Sequence, residues 1–317
     1  MNPILQNYIQ RYIDKSIQTQ NSIFPKFFTQ YDLGNYDQFL PYLFEIEAFC
    51  LRLFEALICG DRICIYSDYD TDAMTATGVM YWGLIDLGFE QDKLSFYAPD
   101  RFAEGYGMNT DAVAKLILEN DLIISVDCGI NSVLEAQIVL ENYNSNSLND
   151  NPNQKLNQNT SNLDQNFSQK LNQNKKCELI ITDHHHLGGQ IPDCVAVVNP
   201  RLCDYWTNPE NSAKLTKIQN KLQIQSEKLT KIISNKLENP KETNQKISNW
   251  LIKMNKKLDF KNLVKESLKK NLTENISTNA VSQDYSNSQN YLSSSTTGVG
   301  VAWFSLVWFG YFLKELE

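Results

Sequence analysis

The sequence predicts an α/β fold, a mostly parallel sheet with helices on both faces, interrupted by low-complexity and helical insertions. Three observations predict it. Short, uniformly apolar runs such as Ile63-Cys64-Ile65-Tyr66 read as strands buried on both sides. Longer stretches with apolar residues at steps of three and four alternate with them. Several apolar runs end abruptly in acidic or histidine-bearing motifs, the place where open α/β sheets collect ligand-binding groups.

Taken in order, Leu40, Leu43, Phe44, Ala48, Leu51, Phe54 and Ile58 form one apolar face and predict a helix ahead of the sheet. Strand 62–66 follows, then helix 73–87, strand 94–98 and helix 109–119, which Asn109 or Thr110 can cap. Strand 122–126, helix 131–140, strand 177–181 and strand 194–198 complete the alternation. The apolar stretch 299–313 is about 15 residues long, short of the roughly 20 that a membrane helix needs, and reads as a buried helix.

Two segments interrupt this pattern. Residues 144–176 are rich in Asn and Gln and repeat Gln-Lys-Leu-Asn-Gln-Asn at 154–159 and 169–174, a composition expected to stay disordered. Residues 207–295 are rich in Lys and Asn and repeat Lys-Leu-Thr-Lys-Ile at 214–218 and 228–232. There Leu215, Ile218, Leu222, Leu229, Ile232 and Leu237 make a helical stripe ended by Asn239-Pro240, so this insertion is expected to be helical or disordered, a tolerated surface addition. The organisation read from sequence is a helical segment at 1–60, an α/β domain assembled from 61–143, 177–206 and 296–317, and insertions at 144–176 and 207–295.

The 317 residues carry a net charge of −8, unevenly spread: residues 1–143 hold 8 basic and 21 acidic side chains, and residues 207–317 hold 16 and 10. Net acidity disfavours a passive nucleic-acid coat, which needs Lys and Arg on phosphates. The seven cysteines form no Cys-x-x-Cys pair, against a thiolate zinc site, and they fit buried thiols in a reducing compartment. The first residues show no secretory pattern, and the expectation is a cytoplasmic protein without membrane attachment.

Three motifs carry chemistry: Ser67-Asp68-Tyr69-Asp70-Thr71-Asp72, Asp127-Cys128-Gly129 and Asp183-His184-His185-His186, each just after a predicted strand. Carboxylates gathered at one sheet edge repel one another unless a cation lies between them. All three histidines of the chain are consecutive, unlike scattered surface residues. Carboxylate with imidazole suits Mn²⁺ or Mg²⁺.

With these motifs in this order, the chain resembles the DHH phosphoesterase superfamily and, within it, the RecJ exonucleases. Further matching features are Pro99-Asp100-Arg101-Phe102, Glu104-Gly105-Tyr106-Gly107, Val198-Asn199-Pro200-Arg201 and Thr297-Gly298-Val299-Gly300-Val301-Ala302. The resemblance implies hydrolysis of phosphodiesters by two divalent ions, Mn²⁺ or Mg²⁺, and a 5′→3′ exonuclease of DNA repair and recombination acting on single-stranded DNA. It implies metal ligation by Asp70, Asp72, Asp127 and His184, with Asp68 a weaker ligand. His185 would face the scissile phosphate, Asp183 would orient its neighbours, and Arg101 and Gly129 would contact substrate. No role is implied for His186. Tyr66 stands where the family often has His, and Ser67 and Ala73 where RecJ proteins have Gly. The chain stops before the family's fourth motif, so the expectations include a fragment that is inactive or needs a second polypeptide. A small DHH phosphodiesterase acting on oligonucleotides or cyclic dinucleotides is the alternative.

Overall fold

β1 (Ile63–Ser67) and β3 (Leu122–Val126) are buried at every position, which is why their sequences show no polar alternation. β2 (Leu94–Tyr97), β4 (Glu178–Thr182) and β5 (Ala196–Val198) complete a parallel sheet in the order β2-β1-β3-β4-β5. The register places Ile65 between Phe96 and Ile124, and Ile124 beside Ile180. The computed structural model describes residues 43–148, 176–202, 205, 212–257 and 296–316.

The helices are α1 (Ile46–Cys59), α2 (Thr71–Asp86), α3 (Thr110–Glu119), α4 (Val133–Leu148), α5 (Ser212–Lys236), α6 (Pro240–Lys257) and α7 (Gly298–Leu316). From β1 the chain crosses through α2 to β2, then turns back past β1 through α3 to β3, and continues the same way through α4 to β4. Parallel crossovers are right-handed, so this reversal puts α2 on one face and α3 with α4 on the other. α7 packs on α2 and α1, and α3 packs on α4. The reversal also opens a crevice between the carboxyl ends of β1 and β3, the switch point at which open α/β sheets bind ligands.

The predicted segment 1–60 is not separate where it is described: α1 packs against β5, α5 and α7, and Phe49, Leu53 and Phe54 are fully buried in the common core. α4 runs on to Leu148, past the predicted break at 144. The change to Asn and Ser there lowers helix propensity by only tenths of a kcal/mol per residue, too little to stop a packed helix. The rest of the Asn-rich stretch lies outside the described residues, as do 1–42 and 258–295.

The second insertion is helical over 212–236 and 240–257 and is not a loose addition. Leu229, Ile233, Ile247, Trp250 and Met254 are buried in the same core as the sheet. Lys228 Nζ lies 2.9 Å from both Glu55 and Glu178, tying α5 to α1 and β4. Lys246 donates to the Leu316 carbonyl at 3.3 Å, and Lys253 pairs with Glu315 at 3.2 Å, so α6 holds the far end of α7.

α7 is 19 residues long and meets the length and composition of a membrane-crossing helix. That exceeds the apolar run because flanking Gly298 and 314–316 are helical too. Val301, Ala302, Leu306, Phe309 and Phe312 are buried, and the helix lies against α1 and α2, so it serves as a core helix. The six described cysteines are free thiols.

Candidate metal centre

Each of the three sequence motifs reaches the crevice from a different strand. After β1, Asp68 is 1% exposed, and neither of its oxygens accepts a properly aligned hydrogen bond, although the Tyr69 and Gly107 amides face it. Asp70 is more open and caps α2, its Oδ1 accepting the Ala73 amide at 2.9 Å. Asp72, in the first turn of α2, accepts the amides of Gly298 at 2.8 Å and Val299 at 3.0 Å, one on each oxygen. It is thereby also the cap of α7, a task its sequence context did not show.

After β3 the chain turns sharply. Asp127 has φ of 59°, a costly conformation for a residue with a side chain, while its amide still bonds to the Thr182 carbonyl at 2.9 Å. Gly129 follows at φ 112°, where a Cβ would meet Ser125 Oγ at 2.7 Å. After β4, Asp183 organises its loop. Its Oδ1 accepts the amides of His184 at 2.6 Å and His185 at 3.0 Å and lies 2.8 Å from His185 Nδ1, and its Oδ2 accepts the Ile130 amide at 2.9 Å.

These turns bring Asp127 Oδ1 to 3.0 Å from His184 Nε2, with Asp72 Oδ2 at 3.7 Å from the same nitrogen. Asp127 is 1% exposed, and its Oδ1 accepts no properly aligned hydrogen bond. Ligand atoms of Asp127, His184 and His185 all lie within 4.8 Å of one another. Asp70 and Asp72 flank that group rather than belong to it.

The electrostatics follow from burial. The Asp127 carboxyl is pushed up to about 8 by burial and then by the charges of Asp72 and Asp70. Asp68 is raised by burial, with the amides of Tyr69 and Gly107 working the other way and Asp70 adding to the rise. His184 is lowered, by burial and then by its neighbour His185. Burial also pushes up Asp183, but its bonds to His185 and to backbone amides outweigh that and hold it below the usual range. His185 is raised, chiefly by the Asp183 hydrogen bond.

Buried carboxylate oxygens without hydrogen-bond partners are rare and call for a counterpart. Three occur here, two on Asp68 and one on Asp127, beside an imidazole nitrogen of lowered basicity. A hard or borderline divalent cation fits this oxygen and nitrogen donor set. Cys128 does not join it as a thiolate, because full burial pushes its thiol up.

Several residues that shape the site had no role assigned from the sequence. His185 Nε2 lies 2.9 Å from the Tyr106 hydroxyl, so both its ring nitrogens are engaged. Tyr66, noted as a departure from the family pattern, donates its hydroxyl to the Gly107 carbonyl at 3.3 Å and accepts the Asn109 amide at 3.0 Å, anchoring the Tyr106 loop. Arg201 Nε donates to the His184 carbonyl at 2.5 Å, and Asn199 Nδ2 to the His185 carbonyl at 3.0 Å. Asn131 clamps the same loop through the His186 carbonyl and the Gly188 amide. The Asn-Pro-Arg run directly after β5 was the available signal, since polar residues at a strand's carboxyl end border the same crevice.

A cleft of 370 Å³ adjoins the group, lined by Tyr106, Cys128, Gly129, Asn131, Asp183 and His185. Arg101 is exposed and stacks over the Tyr69 ring at 5.3 Å, and Tyr69 in turn meets Tyr106 edge-on. The arrangement places Arg101 at the rim of the site.

Asp183→Asn is expected to lower the His185 midpoint in the metal-free chain, because the hydrogen bond that raises it is lost, read from the ring protons by NMR. The raised midpoint stabilises the folded chain below the ordinary histidine range, and that contribution disappears as pH rises through the folded value. An unchanged midpoint in the variant would show that Asp183 does not hold the imidazolium.

A family model described as the DHH family, N-terminal domain, matches residues 62–149. The stretch 62–149, which holds β1 through α4, is thus similar to a DHH domain. The relatives it is similar to include the single-stranded-DNA-specific exonuclease RecJ of Bacillus subtilis (strain 168), 35% identical over 151 residues, which are 47% of this chain and 15% of that one. The RecJ of Thermus thermophilus is 31% identical over 148 residues, covering 47% of this chain and 17% of the relative. Among solved structures, an exonuclease RecJ bound to manganese is similar at 29% identity and a TM-score of 0.38, over 51% of this chain and 33% of that one. The chain thus spans under a fifth of the length of these two curated relatives.

Proposed function

We propose that this DHH chain is a hydrolase that cleaves phosphodiester bonds of single-stranded DNA from the 5′ end, using Mn²⁺ or Mg²⁺, with two ions in the working site. The observation that carries this reading is the meeting of Asp127 Oδ1 and His184 Nε2 at 3.0 Å among buried carboxylate oxygens without hydrogen-bond partners. Asp127 and His184 would hold the first ion, with Asp68, Asp70 and Asp72 at hand for a second. Bound there, such ions supply an activated water and neutralise charge on the phosphate.

The chain's own residues do the rest. His185, made more basic by its bond to Asp183, presents a donor from Nε2 to a phosphate oxygen or leaving group once Tyr106 gives way. Gly129, whose missing side chain lets the turn pack against buried Ser125 and Ile181, lends its backbone to the cleft lining, where a phosphate can approach it. Arg101 offers a planar pair of donors to a neighbouring phosphate. Phe102, 97% exposed, and Tyr106, 59% exposed, stand beside it as faces on which unpaired bases can stack. The relatives' names, single-stranded-DNA-specific exonuclease, support the substrate. A second polypeptide carrying further DNA contacts is part of this reading.

The test is release of nucleotides from a 5′-labelled single strand by the full chain, with Mn²⁺ or with chelator. The expected result is Mn²⁺-dependent shortening from the labelled end, slower on duplex and absent in Asp127→Asn. Hydrolysis confined to dinucleotides or cyclic dinucleotides would overturn the DNA assignment and leave a small-substrate phosphodiesterase.

A further inference from the structure

We propose that the first turn of α7 sets the spacing of the metal-site carboxylates, with Gly298 as the positioning residue wedged between Asp72 and Asp127. The proposal deepens the reading of this site as a divalent-cation centre and rests on it.

Two observations meet at one residue. On one side, the amides of Gly298 and Val299 hold the two oxygens of Asp72 at 2.8 and 3.0 Å. On the other, a Cβ built on Gly298 would stand 2.1 Å from Asp127 Oδ1, 2.4 Å from its Cγ and 2.6 Å from its Cβ. Real Cβ atoms essentially never come closer than 3.0 Å. The backbone at position 298 therefore approaches Asp127 as only glycine can. Gly298 has no left-handed φ, so its dihedrals do not require glycine; the space does.

The helix cannot easily slide away to make room. Its far end is held by Lys246 and Lys253 from α6, and Phe312 packs edge-on to Phe54 and against Trp250. Asp127 is fixed at its backbone by the bond to Thr182. A side chain at 298 must then displace the Asp127 carboxylate, the group that faces His184. The same amides, at the positive end of the helix, favour gathering negative charge here before any cation arrives. α7 thus couples the described part of the second insertion to the centre.

The experiment measures Mn²⁺ binding to the full chain by calorimetry and by the loss of the free-ion electron-spin-resonance signal. Gly298→Ala is expected to weaken binding at least tenfold. Gly78→Ala, on α2 where nothing lies within 4 Å of an added Cβ, is expected to bind as the parent does. Should Gly298→Ala fail to fold, Val299→Pro decides. It deletes one donor to Asp72 without bulk against Asp127, at a first-turn position whose amide has no partner within the helix. Its expected effect is a weakening of three- to tenfold, with circular dichroism unchanged. A parent chain that binds Mn²⁺ and folded variants that bind it equally well would overturn the positioning role alone. A parent chain that binds no Mn²⁺ would overturn the reading of the site and this proposal with it.

Discussion

Asp127→Asn is expected to abolish Mn²⁺ binding and to leave a metal-free chain more stable than its parent near pH 8. The carboxyl is buried, faces Asp72 and Asp70, and its midpoint is pushed up to about 8. Between about pH 4 and pH 8 the folded parent keeps a proton that the unfolded chain has released. Its stability therefore falls as pH rises through that window, by up to about 1.4 kcal/mol per pH unit from this group. Asparagine fills the same space without ionising, and that slope disappears. A cation reverses the balance in the parent: the carboxylate must ionise to bind it, so a proton is released. At a hundredfold excess over Kd, Mn²⁺ would stabilise the parent by about 2.7 kcal/mol and the variant by nothing measurable. Thermal melts from pH 5 to 8, with and without Mn²⁺, check both halves, and calorimetry in two buffers of different ionisation enthalpy counts the proton. An Asn variant that still gains as much from Mn²⁺ as the parent would remove Asp127 from the centre.

Arg52→Met is expected to cost about 3–5 kcal/mol, the usual loss when one partner of a buried charge cluster is deleted. Arg52 has 3% of its side chain exposed and lies under the opposite edge of the sheet from the metal centre. Its Nε meets Glu178 at 2.6 Å, its Nη1 meets Asp61 at 2.8 Å, and its Nη2 donates to the Asp121 carbonyl at 3.2 Å. Without the guanidinium, Asp61 would lose this partner, and Glu55 and Glu178 would keep Lys228 between them. A domain of ordinary stability holds only about 5–15 kcal/mol, so the variant would unfold at much lower urea. Lys228→Met should cost less, because about a third of that side chain (32%) remains in water. Urea titrations of the three chains give the order. Equal losses for Arg52→Met and Lys228→Met would mean that α5, not the arginine, holds this edge together.

Much of this protein was legible in the order of its residues. Largely apolar runs at 62–66 and 122–126, too short for helices and set between helical stretches, read as strands covered on both faces, and polar motifs placed directly after them then emerge at the carboxyl edge of a parallel sheet. The consecutive histidines after 177–181 marked chemistry for the same reason. Local periodicity likewise foresaw α5, which ends at Lys236 just ahead of Asn239-Pro240, because a helix is written in its own neighbours. Composition misled where it stood in for packing. Asn and Ser beyond residue 143 did not end α4, and the Lys-rich stretch after 207 was read as a surface addition although its apolar stripe is buried against α1. What tertiary structure alone decided were the contacts between residues far apart in the chain. Asp72 finds its partners 226 and 227 positions away in the first turn of α7, and His185 finds Tyr106 at a separation of 79. Only the reversal of strand order between β1 and β3 brings those turns together. Only the close approach of Gly298 shows why the pair of carboxylates stands where it does, since the exclusion of a single Cβ is a matter of distance that no local pattern records.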